Sequence, residues 1–395
     1  MALTREYWHW SAGIQLARLP ATMAPLAFTL LTTAITGSYR LGGVMMAVFV
    51  AAELLGAVPS GRLLDRLGRA RGLVLLLTCA GGTLAAIAAA AWAGLAGPVL
   101  LALVVLPGAI TGGLSGGFRS LLPGTIPADA LPRAVSVDAM LMEGVLIAGP
   151  LLVSVCGLAS ALLPLGVMAA AYLGSAILVP HKEVELERAG ARLPIGPAAR
   201  WLACQFAIGH LLSTIEVAPL PLVQRLGAAP GTAGLVIAVL SGASIVGSAL
   251  YAWRAPRWAP IRQATLLLCG FVVSGCLVAA NLGWAGLLIG AALLGCCTGP
   301  LVTVASVQLQ RLLPEGRRAE GFSLSFAVQG TGFALGSLSL GLLPLWAAPL
   351  LGVVSSATAC VMLSVLTSRE AQHDRGGAQA GSAPGDLRLA EPGNG

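Results

Sequence analysis

Five ionisable side chains stand inside long apolar runs of this 395-residue sequence: Arg18, Glu53, Glu143, His210 and Glu216. If those runs cross a bilayer, each charge is expensive where it lies and is a candidate for binding or proton chemistry. Arg18 and Glu53 fall at equal depth, each roughly 12 Å from the end of its run at about 1.5 Å per residue. They can pair structurally with each other or serve a site. Glu143 and His210 fall near the middle of their runs and Glu216 in the outer half. Loss of water makes the ionised form of a carboxyl group costly, so Glu143 can take up and release a proton near neutral pH. The alternative for Glu143 is a protonated side chain hydrogen-bonded to a neighbouring helix. His210 and Glu216 are six residues apart, about 240° around a helix, and do not share a face; His210 reads as a packing residue. Asp138 is too close to the end of its run to need a role inside the membrane, and Arg119 likewise sits at an end.

The elements that must position these groups follow from composition. Hydrophobic residues make up 57% of the chain and charged residues 10%, with a mean hydropathy of +0.87. Soluble domains carry roughly 25% charged residues, so this is a membrane protein. Continuous apolar runs of about 20 residues exclude a β-barrel, whose strands alternate, and predict an all-α fold. About twelve spans are expected: 12-36, 42-62, 72-93, 97-119, 134-156, 159-180, 200-222, 231-252, 263-281, 284-309, 319-343 and 346-367. The N-terminal stretch lacks the pattern of a signal peptide, and Tyr7, Trp8 and Trp10 suit an interfacial aromatic belt. All eight cysteines fall in apolar runs without CxxC or Cys/His spacing, and read as small packing residues. No metal site, cofactor or catalytic set is expected, since HExxH and GxxxxGK[ST] are absent from the sequence.

Basic residues fix an expected orientation. With both termini cytoplasmic, 20 Lys and Arg fall on the cytoplasmic side against 2, Arg40 and Arg225, on the other, with Arg18 inside the first span. The net charge of +7 is therefore a topology signal, not a nucleic-acid surface. The longest polar interruption, 181-200, divides the spans six and six. "RSLLPGTIPADALPRAVSVDAML" (119-141) and "LQRLLPEGRRAEGFSLSFAV" (309-328) share Leu-Leu-Pro, an acid, Arg-Ala and Ser at corresponding junctions. Gly61 precedes Gly247 by 186 residues in the same sense. Two pseudo-symmetric six-helix bundles, 1-180 and 200-368, are expected, with a cytoplasmic linker at 181-199 and a disordered cytoplasmic tail at 369-395.

The stretch "GRLLDRLGRARG" (61-72) breaks the apolar pattern between the second and third spans. Gly61 lets a helix approach its neighbour closely, and Asp65 can accept hydrogen bonds from the free N–H groups at a helix N-terminus. Arginines alone would serve as positive-inside determinants without needing glycine and aspartate at these spacings. The stretch resembles the GxLxDRxGRR signature of the major facilitator superfamily, matched by Gly61, Leu63, Asp65, Arg66, Gly68, Arg69 and, one place late, Arg71. "RLPATMAPLAF" in the first span and "AGP" in the fifth extend the likeness along nearly the whole chain. The resemblance implies that the helix capped by Asp65 is the eleventh, starting near Glu320 to Ser323, with Arg66 and Arg69 clamping the carboxylate or reaching anionic lipid headgroups. "EGVLIAGPLLVS" in the fifth span matches the antiporter motif GxxxGPxxGG at Gly149 and Pro150, but Gly144 is displaced and Val153 and Ser154 replace the final glycines. RxxxGxG is not recognisable in the fourth span. Gly332 and Gly336 stand at GxxxG spacing, which favours close helix packing.

The expectation is a monomeric, proton-coupled secondary transporter of a bacterial cytoplasmic membrane, with protons and a small-molecule substrate as its ligands and the lipid bilayer as its surroundings. Export of a small, fairly apolar compound is favoured over uptake of a sugar or acid, because the spans offer few charged, aromatic or amide side chains. Import, a non-transporting sensor and an intramembrane enzyme are the alternatives. The tail is rich in Gly, Ala and polar residues, so deletion of 371-395 should leave membrane insertion and flux unchanged, as measured in membrane fractions and reconstituted vesicles.

Overall fold

The computed structural model describes residues 3-37, 40-180, 193-229, 232-254 and 258-380, without the side chains of 220 and 365-380. The described residues form helices and no strands. In chain order the helices are α1 (Arg5–Thr36), α2 (Arg40–Leu67), α3 (Arg69–Trp92), α4 (Gly97–Thr111), α5 (Leu114–Leu121), α6 (Leu131–Gly157), α7 (Leu163–Ile177), α8 (Ile195–Glu216), α9 (Pro219–Arg225), α10 (Ala233–Trp253), α11 (Pro260–Ala279), α12 (Gly283–Leu312), α13 (Arg318–Leu342) and α14 (Ala347–Ala380). Every expected span holds helix. Nine spans among the described residues are long and apolar enough to cross a membrane. Of the rest, α7 is short, and α8 and α13 are more polar and pack against each other.

Several boundaries differ from the sequence reading for local reasons. α1 starts at Arg5 because the Thr4 hydroxyl accepts a hydrogen bond from the Tyr7 N–H (3.1 Å), an N-cap. Tyr7 and Trp10 are therefore not belt residues. Both are fully buried, the Tyr7 hydroxyl donating to the Ala134 carbonyl (2.9 Å) and the Trp10 indole to that of Phe118 (2.7 Å), while Trp8 is exposed. The fourth span breaks at Gly112-Gly113 and the seventh at 217-218, ahead of Pro219. The last helix continues to Ala380, beyond the expected start of a disordered tail at 369; residues 381-395, and 181-192 of the linker, lie outside the described residues. The eight cysteines are unpaired, and Cys79, Cys269 and Cys276 are exposed rather than packed inside.

The packing pattern of the first half returns in the second. α2 packs on α4 as α10 packs on α12, α3 on α7 as α11 on α14, and α1 on α6 and α7 as α8 on α13 and α14. Backbone contacts hold the equivalent pairs: a Cβ on Gly112 would strike the Glu53 carbonyl, and one on Gly247 that of Cys296. Two hydrophobic cores result, one built on α1–α7 that also takes in Val307 of α12 and Ala319 of α13, and one within α8–α14. The two bundles meet through α2 and α5 on α13, and through α6 on α10 and α12.

Gly247 makes this packing testable. Gly247→Ala should lower stability by about 1–3 kcal/mol through overpacking, read as a lower thermal unfolding midpoint in detergent. Gly242→Ala, on the same helix with open space around it, should leave the midpoint level or raise it.

Candidate functional site

The short connection between α2 and α3 carries the first cluster. Gly68 has φ +90°, left-handed backbone that favours glycine, and turns the chain in one residue from Leu67 to Arg69. Asp65, one turn before, is thereby aimed across the bundle boundary. Its Oδ1 accepts the Ala319 N–H (3.1 Å) and its Oδ2 the Glu320 N–H (2.8 Å), at the N-terminus of α13. Free N–H groups and the helix dipole both favour an anion there. Close approach is required: a Cβ on Gly61 would lie 2.7 Å from the Ser323 hydroxyl, and one on Gly116 would meet Ser323 and Ala319.

Arginines complete the latch. The Arg69 Nε lies 3.8 Å from Asp65 Oδ1, and its terminal nitrogens donate to the carbonyls of Ser120 (3.4 Å) and Glu315. Arg62 donates to Glu320 Oε1 (2.8 Å), whose other oxygen accepts from Arg317 (2.8 Å). Arg66, expected to clamp the carboxylate or to reach lipid headgroups, is exposed and forms no ion pair with Asp65 among the described residues, whereas Arg62, one turn before it on α2, pairs with Glu320. A cavity of about 540 Å³ beside the latch is lined by Arg69, Ser120, Thr125, Glu315 and Arg318 among others; Glu53, Glu143 and Glu216 do not line it.

A second cluster lies within the first bundle. Arg18 grips Asp138 with both terminal nitrogens (2.7 and 3.0 Å), Gln15 donates to Asp138 Oδ1 (2.9 Å), and Arg119 reaches Oδ2 at 3.1 Å. Arg18 therefore does not pair with Glu53: its face of α1 is turned to α6, whereas the Glu53 backbone lies against α4. Asp138 and Arg119, assigned by sequence to segment ends, are buried partners instead, the carboxylate 1% exposed. Gly149 packs α6 against Thr22 of α1, and Pro150 lies within the same helix.

The remaining candidates lie toward the bundle boundary or in the second bundle. Glu143 is half-buried on α6, the helix that packs on α10 and α12 of the other bundle. Glu216 ends α8 at the break before α9. Glu53 is half-buried on α2. His210 is 8% exposed, its ring edge-on to Phe206 (5.6 Å between centroids) and beside Gly336. Gly332 and Gly336 bring α13 onto the α8 backbone, the packing their spacing predicts.

No family model matches the sequence. An uncharacterised MFS-type transporter of Sinorhizobium fredii, y4rN, is 24% identical over 377 residues, covering 89% of this chain and 90% of the relative. A bacterial homologue of the iron transporter ferroportin, solved in the outward-facing state, superposes with a TM-score of 0.75 at 17% identity, covering 92% of this chain and all of that one. The chain has the major facilitator fold. The human organic anion transporter MFSD10 (TM-score 0.74, 16% identity, 91% of this chain and 100% of that) and the E. coli fucose:proton symporter FucP (0.70, 14%, 91% and 98%) share it. Within the major facilitator fold the latch falls where the "GRLLDRLGRARG" likeness implied, and α13 is the helix it caps, starting at Arg318.

Asp138 and Arg119 were missed because depth along a segment does not reveal the partner across it. A usable signal was present, since two arginines and an aspartate within reach of three successive-bundle helices must be paired to be tolerated. The latch yields the next expectation. Asp65→Asn removes the anion from the α13 N-terminus, an interaction of about 1–2 kcal/mol. Cysteine labelling of positions on the two sides of the boundary should show the latch face opening about tenfold more often, at near-normal expression.

Proposed function

We propose that this protein is a secondary transporter of a bacterial cytoplasmic membrane, working as a monomer and exporting a small, fairly apolar compound in exchange for protons. The observation that carries the reading is the latch: two bundles, each with its own core except where Val307 and Ala319 join the first, held together at one face by Asp65, Arg62 and Arg69 of one and the N-terminus of α13 of the other. Contacts of this kind are numerous enough to hold one arrangement and small enough to be exchanged for another. The Ser136 and Thr303 hydroxyls add a further link (3.1 Å) on the same side. With the arginine-rich face and both termini cytoplasmic, the latched state is outward-facing, like the ferroportin homologue to which the chain is similar.

The two bundles then rock around a site near the midplane. Glu143 is the coupling carboxylate in this scheme. It stands on α6, which packs on α10 and α12 of the other bundle, so a change in its charge acts where the two bundles meet. The spans carry few charged, aromatic or amide side chains, which suits a fairly apolar compound.

Glu143→Gln retains size and hydrogen bonding but fixes the side chain in a neutral form. Gradient-driven accumulation in vesicles should vanish while counterflow exchange of substrate survives. A structural glutamate would lose both activities or neither. Accumulation like that of the parent protein would move the coupling role to Glu216.

A further inference from the structure

The Arg18–Asp138–Arg119 cluster is unbalanced. Two guanidinium groups, each permanently charged, face one carboxylate. Asp138 is sealed at 1% exposure and saturated by Arg18, Gln15 and Arg119. The arginines are not. Each retains some opening, 14% for Arg18 and 13% for Arg119, and one terminal nitrogen of Arg119, Nη1, is buried without any hydrogen-bond partner. The Tyr7 hydroxyl donates to the Ala134 carbonyl, and Nη1 makes no hydrogen bond to its oxygen.

A buried guanidinium N–H without an acceptor is costly, and so is an uncompensated positive charge in a low-dielectric interior. Both deficits are removed by the same thing, one monovalent anion accepting from Arg119. A carboxylate fits best, because its two oxygens match the planar fork of a guanidinium. The cluster also sits on α1, α5 and α6, and α5 and α6 are two of the helices that meet the other bundle, so an anion bound here lies beside the moving boundary.

We infer that the Arg18–Arg119 pair is a binding site for the acidic group of a monoanionic, otherwise apolar ligand, with Arg119 as the direct donor and Asp138 as the internal carboxylate that neutralises one of the two positive charges. This refines the substrate class within the transport reading above and depends on that reading for its role, but the binding itself needs neither a proton gradient nor a working cycle.

The test is therefore equilibrium binding to the purified full-length chain in detergent. Benzoate and its neutral isostere benzamide are titrated by calorimetry at fixed ionic strength. Benzoate should bind saturably and benzamide at least tenfold more weakly. Arg119→Gln should weaken benzoate about tenfold, the effect of losing one charge-assisted hydrogen bond, and Arg119→Lys less than that. Asp138→Asn should tighten it, because a competing carboxylate has gone; a purely structural triad would show the opposite sign. Equal binding of benzoate and benzamide, undiminished binding in Arg119→Gln, or weakened binding in Asp138→Asn would each overturn the inference. Should the variants not fold, the benzoate–benzamide contrast in the parent protein decides alone. Benzoate binding with no transport would leave the site standing and remove the transport reading, whereas transport of neutral compounds without benzoate binding would do the reverse.

Discussion

Two backbone N–H groups at the start of α13 have no partner within their own helix, and the Asp65 carboxylate supplies it from the other bundle. Much of the arginine-rich face is arranged around that fact. Gly61 and Gly116 remove side chains so that α2 and α5 can reach α13, and Gly68 turns the chain sharply enough to leave Asp65 at the tip. Arg69 then fixes the carboxylate while bonding to backbone on both sides of the boundary. The latch is a geometric consequence of three glycines as much as an electrostatic one.

The two bundles share a packing pattern and close helix contacts at glycines, and differ in what is added to them. The first adds charge: α1, α5 and α6 converge on Asp138. In the second, α13 is pressed onto α8 through Gly332 and Gly336, with His210 filling the space beside them without a hydrogen bond to either ring nitrogen.

Sequence alone carried the architecture because the bilayer leaves little choice: continuous apolar runs become helices, their polar interruptions become connections, and a likeness between halves becomes a repeat in the packing. The role of Asp65 was legible for a similar reason, since an anion flanked by glycines has few uses other than capping a helix that comes close. Arg18 was not legible in this way. Its depth matched Glu53, but depth leaves the direction of a side chain around the helix undetermined, and the structure turns it to Asp138. Tyr7 and Trp10 misled for the opposite reason: their amphipathic rings suit an interface, yet carbonyl oxygens of Ala134 and Phe118 satisfy them inside the protein. The breaks at 112-113 and 217-218 were announced by glycine and proline, residues too common in membrane helices to decide the matter by themselves.

The latch is also unequal in what each side stakes on side-chain identity. On the α2 side everything passes through one carboxylate, so a single base change can remove it. On the α13 side the receptor is the main chain of Ala319 and Glu320, which every residue but proline possesses. Sequence drift at the start of α13 can therefore alter the surroundings of the contact freely while its receiving half stays in place.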